Sequence, residues 1–175
     1  MFRAIAALAL ASASTHPAAT LTSTSPWWEK VTVLVADDGQ TQSCSYESSL
    51  RPSSKQECTV EGALASGAKG SAAKSEFTRI TFERRFSLGA AKPDMVLGPG
   101  ETLLGGRVMS LAIDARGAVK NCEVVATSGS VTPQYSCRDL EAERFEASAG
   151  GAHAGSAPRE GYMSIIVYGH SEHVV

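Results

Sequence analysis

The sequence predicts an α+β protein of two β-β-α-β units, each with a small antiparallel sheet and each stapled by a disulfide. Three observations predict it. Apolar residues alternate over short runs, the period of a strand with one buried face. Turn signals with glycine separate the runs. The four cysteines recur at nearly repeating intervals: Cys44 and Cys122 each fall five residues after a turn glycine, Gly39 and Gly117, and Cys58 and Cys137 follow them by 14 and 15 residues.

The elements are read in order. Residues 1–13 have the form of a secretory signal, with Arg3 as the positive region, an Ala/Leu-rich apolar run and a small-x-small cleavage pattern at residues 11–13. That run is too short for a spanning helix, which needs about 20 apolar residues, and no later stretch is long enough either. Residues 14–25 are rich in Ser, Thr, Ala and Pro and are expected to be disordered. The first unit covers residues 26–90. Val31, Val33 and Val35 share one face of its first strand, Asp37-Asp38-Gly39 makes the turn, and residues 41–46 return with Cys44. Cys58 lies in a short, weakly helical stretch. A low-complexity loop leads to a third alternating strand, residues 76–86.

A linker rich in Pro and Gly, residues 91–104, separates the second unit, residues 105–170. Met109, Leu111 and Ile113 share a strand face, residues 114–117 turn, and residues 118–126 return with Cys122. Thr132 reads as an N-cap and Pro133 as the first residue of a helix reaching about Ala147, with Cys137, Leu140 and Phe145 at helical spacing. Residues 162–168 form the closing strand, and residues 171–175 a tail.

Superposing the units on their turn glycines pairs Val33 and Val35 with Leu111 and Ile113, and Phe77, Ile80 and Phe82 with Tyr162, Ile165 and Val167. The repeat chooses among the three possible pairings of four cysteines and predicts Cys44–Cys58 and Cys122–Cys137. Closing a loop of about 15 residues contributes roughly 3 kcal/mol in the chain-entropy model. Redox or zinc chemistry is disfavoured because no Cys-x-x-Cys spacing exists.

The strand MSLAID, the turn ARG, the strand AVKNCEVV, the loop TSGS, a helix ending near Phe145 and a closing strand together resemble the C-terminal domain of TonB-type energy transducers, over residues 106–168. The resemblance implies a helix on a small antiparallel sheet, and work by protein–protein contact in which a sheet edge accepts a partner's peptide as an added strand. The family's N-terminal membrane anchor and Pro-rich spacer have no counterpart, and Phe145-Glu146-Ala147 stands where the family often has Phe-Pro-Ala.

With 16 basic and 18 acidic side chains, the net charge of −2 leaves no footprint for nucleic acid or an anionic membrane. His170 and His173 would point to opposite faces of a strand, and His153 has no evident partner. Asp37, Asp38 and Asp114 lack calcium-loop spacing and read as turn residues. Ser128 and Ser130 form no nucleophile elbow, and the glycines of residues 67–70 no phosphate loop. No catalytic, cofactor or metal residues are expected. The candidate interface residues are Trp27 and Trp28 ahead of the first strand, Arg79 and Arg84 on the basic strand 77–86, and Tyr162 and Ile165 on the edge strand 162–168. The expected function is a non-enzymatic, exported, periplasmic or envelope module that binds a protein or peptide or acts as a scaffold. The alternative is a small-molecule or glycan-binding module with a pocket between the units.

Overall fold

The structure, a computed structural model, describes residues 22–38, 40–51, 55–58, 77–89, 96–147 and 157–171. The expected signal, most of the disordered segment, Gly39, the low-complexity loop, residues 91–95 of the linker, His153 and His173 lie outside them.

Among the described residues, strand makes up 61% and helix 5%. The strands are β1 (Trp27–Val35), β2 (Thr41–Ser48), β3 (Gln56–Glu57), β4 (Arg79–Leu88), β5 (Glu101–Ile113), β6 (Val119–Gly129) and β7 (Arg159–His170), with one helix, α1 (Cys137–Ala142), between the last two. All seven strands form a single antiparallel sheet in the order β3-β2-β1-β4-β7-β5-β6. The expectation of an α+β protein of two β-β-α-β units with small antiparallel sheets is therefore corrected. The two hairpins and their return strands run in similar order, β2-β1-β4 and β6-β5-β7, but they share one sheet. The reason is that β4 and β7 meet edge to edge over ten residue pairs, from Arg79↔His170 to Leu88↔Gly161.

The expected helices are the other correction. Cys58 follows the two-residue strand β3, and its N–H donates to the Cys44 carbonyl at 3.2 Å, so the chain there is extended. The long helix from Thr132 to about Ala147 reduces to six residues. It starts at Ser136, whose N–H and hydroxyl both donate to the Asp139 carboxylate, at 2.8 and 2.7 Å. That carboxylate in the first turn also faces the positive end of the helix. The helix stops because residues 143–145 leave it to line the sheet. The Phe145 N–H donates to the Gly117 carbonyl at 2.8 Å, and Arg144 bridges Ala118. Gly117 has φ +82°, and a Cβ there would overlap the Phe145 carbonyl, so only glycine serves.

Directly paired residues share a face. Trp27, Glu29, Val31 and Val33 of β1 lie opposite Phe86, Arg84, Phe82 and Ile80 of β4. This is the core face. Trp27, Phe86, Met109, Met163 and Ile165 are buried there under Leu140 and Phe145. A second cluster, Val33, Cys44, Phe82 and Val167, lies toward the other end. Both disulfides lie beside these clusters: Cys44 is joined to Cys58 and Cys122 to Cys137, with Cα–Cα distances of 5.1 and 5.5 Å.

Candidate functional site

Arg84 is the most heavily engaged side chain of the core face. Strand alternation places it between Phe82 and Phe86, so its charge is carried into the apolar layer. It is compensated from several elements. Its Nε and Nη2 donate to Glu29 Oε2 of β1 at 3.0 and 2.9 Å. Its Nη1 donates to the Tyr135 hydroxyl at 2.9 Å and to Glu143. Its guanidinium lies 4.8 Å from the Trp27 ring centre and 5.3 Å from that of Tyr135. Tyr46 donates to Glu29 at 2.8 Å, Tyr135 to Glu143, and Thr22 Oγ1 to Glu143 at 3.3 Å. Burial works against the charged form of Arg84, but Glu143, Tyr135 and Glu29 outweigh it and raise its pKa further above the usual arginine value. Burial is likewise the first cause that raises the Tyr135 hydroxyl above the ordinary 10.0; Arg84 opposes and Glu143 adds to it.

The opposite face carries its own charge cluster. Glu83 is only 4% exposed. Lys30 lies 3.4 Å from its carboxylate, Arg85 pairs with it, and the Tyr168 hydroxyl donates to it at 3.2 Å. Lys30 also stands 5.0 Å over the Trp28 ring. Burial, then Glu83, raise the Tyr168 hydroxyl. In both clusters the charged groups are paired with partners of this chain.

The candidate interface residues do not converge. β4 is flanked by β1 and β7, and β7 by β4 and β5, so neither strand offers the free edge expected of it. Arg84 and Ile165 are direct partners on the core face, and Ile165 and Trp27 are buried. They cannot anchor a partner, and Arg84 is consumed by Glu29 and Glu143. Arg79, Tyr162 and Trp28 lie on the opposite face, Trp28 and Tyr162 in register with Arg85 and Ser87 and Arg79 at the other end of β4. Sequence reasoning missed Glu29, Tyr135, Glu143 and Glu83. One signal was present: in residues 80–86 the arginine at position 84 has the parity of the apolar side chains, and a buried guanidinium demands carboxylates.

The sheet ends at β6, which pairs with β5 alone. The start of its outer side is covered at Ala118 by Arg144, and Thr22 in turn lies along residues 144–146, with bonds of 2.7 and 2.8 Å. Beyond that point β6 has no outer backbone partner among the described residues. Its pairing with β5 skips at two places, leaving Lys120 and Val125 without a direct partner. Val124 and Val125 are 44% and 42% exposed.

Among the described residues no group of three or more His, Cys, Asp or Glu could hold a metal, and no helix is long and apolar enough to cross a membrane. An open cleft of about 720 Å³ lies at the end of the β1–β2 hairpin, between Leu34, Asp37 and Asp38 on one side and Thr78 and Arg79 on the other. Neither tryptophan lines it. Among the described residues the chain is a disulfide-stapled single sheet, with β6 outermost at one edge and the two-residue β3 at the other. The two bridges are consistent with an exported protein or an oxidising environment. No family model, curated protein or solved structure matches the chain.

Proposed function

We propose that this chain is an exported, non-enzymatic module of the periplasm or cell envelope that holds a protein partner by strand addition along the outer side of β6. One observation carries the reading. β6 is an outermost strand of 11 residues with two adjacent, exposed valines at its middle and no outer neighbour among the described residues after its first turn. The resemblance of residues 106–168 to TonB C-terminal domains supports it, since strand addition at a sheet edge is how that family works. The edge of β7 is filled here by β4, whereas β6 is outermost at its end of the sheet. The skips at Lys120 and Val125, with the charges of Lys120 and Glu123, discourage indiscriminate strand pairing. The partner segment is accordingly an extended one with apolar residues to set against Val124 and Val125.

The test places a photo-crosslinking side chain at position 125 in the exported protein, and separately at position 34 on the sheet face. A discrete adduct from position 125, absent from position 34 and lost in Val124→Asp, is the expected result. Equal labelling from both positions, or none from 125, sinks the reading.

A further inference from the structure

The cleft at the end of the β1–β2 hairpin has charges of opposite sign on its two sides that do not meet. Asp37 and Asp38 stand on the turn, and Asp38 Oδ1 is fixed by the Gln40 N–H at 2.9 Å. Arg79 stands across from them at the start of β4. Its side chain makes no hydrogen bond or ion pair among the described residues, unlike those of Arg84 and Arg85 further along the same strand. No ion pair within 4.0 Å joins Arg79 to either aspartate, although all three line one space. Leu34, which lines the same cleft and is the direct cross-strand partner of Arg79, is 42% exposed. An apolar surface flanked by a separated carboxylate pair and guanidinium is complementary to a small molecule with an ammonium, a carboxylate and an aliphatic chain.

We propose that this cleft binds a free aliphatic α-amino acid, with its ammonium at Asp37 and Asp38, its carboxylate at Arg79 and its side chain on Leu34. The site is separate from the β6 edge, and either can fail without the other. The test titrates the full mature chain with L-leucine, N-acetyl-L-leucine and L-leucinamide while backbone amide resonances are followed. Leucine is expected to shift residues 34–38, 78 and 79 saturably, and removal of either charge to weaken binding by about tenfold or more. Arg79→Gln removes the preference for leucine over leucinamide, and Asp37→Asn reduces that over N-acetyl-leucine. Unchanged resonances around Val167 certify the fold of both variants. Equal binding of the three compounds, or no saturable shift with leucine, overturns the proposal, whatever the variants do.

Discussion

Arg84 shows how one residue decides several others. A guanidinium on the core face is tolerable only where carboxylates and acceptors meet it. Truncating it strands Glu29 and Glu143, whose side chains are 24% and 21% exposed. Arg84→Met is expected to lower the free energy of unfolding by about 2–4 kcal/mol, toward the lower part of the range for broken buried pairs because these groups keep some solvent. Lys55→Ala, in a pair 70% and 46% exposed, is expected to change it by no more than about 0.5 kcal/mol. Urea unfolding of the two variants checks both. The tyrosines supply a second measurement. Tyr46, Tyr135 and Tyr168 all have hydroxyls raised above 10.0, burial being the first cause in each. A raised pKa in the folded state means that stability is full below the unfolded value and is lost as pH rises past it. Absorbance titration should show these three ionising late, together with alkaline unfolding. Ionisation of all of them near pH 10 in a folded chain contradicts the burial described.

Among the elements, α1 is too short to persist on its own propensity. It is held by Leu140 in the core, by its bridge to β6 and by Asp139 at its start. Removing both Cys122 and Cys137 by serine substitution is expected to cost roughly 3 kcal/mol and to raise amide exchange in residues 135–145. The Ser136 hydroxyl and N–H hold the Asp139 carboxyl below the ordinary 3.8. The Ala118 and Arg116 N–H groups do the same for Asp114 in the β5–β6 turn. Depressed carboxyls stabilise the fold above their unfolded pKa, and that stabilisation fades as pH falls through the folded values. Asp139→Asn should therefore lose less stability than the parent between about pH 5 and 3. The longer strands were legible in the sequence from alternating side chains and the turn residues between them, whereas β3 was not read and β5 begins at Glu101, inside the expected linker. The long helix was misread because Thr132 and Pro133 imitate a helix start. The competing signal, Ser136 with Asp139 three residues on, lay inside the assumed helix. Phe145 sits at helical spacing from Leu140, yet reaches the core from extended backbone.

At the level of the whole molecule, local pattern could not reveal which strand edges meet. The two hairpins, their turns and the cysteine spacing were readable, but nothing within either half says that β4 will pair with β7. That pairing is a long-range event, fixed by Phe82 against Val167, Arg84 against Ile165 and Phe86 against Met163 on one face. It joins the two hairpins and their return strands into one sheet, with β6 outermost at one edge and β3 at the other. The candidate surface was misplaced for the same reason, since the expected edges of residues 77–86 and 162–168 became the centre of the sheet. The most direct measurement is an NMR record of backbone contacts and amide exchange across these two strands in the oxidised protein. The account predicts cross-strand proton contacts linking Phe82 with Val167 and Arg84 with Ile165, and slow exchange throughout β4 and β7. Two independent sheets, with no contacts between these strands and fast-exchanging amides along their facing edges, would contradict it.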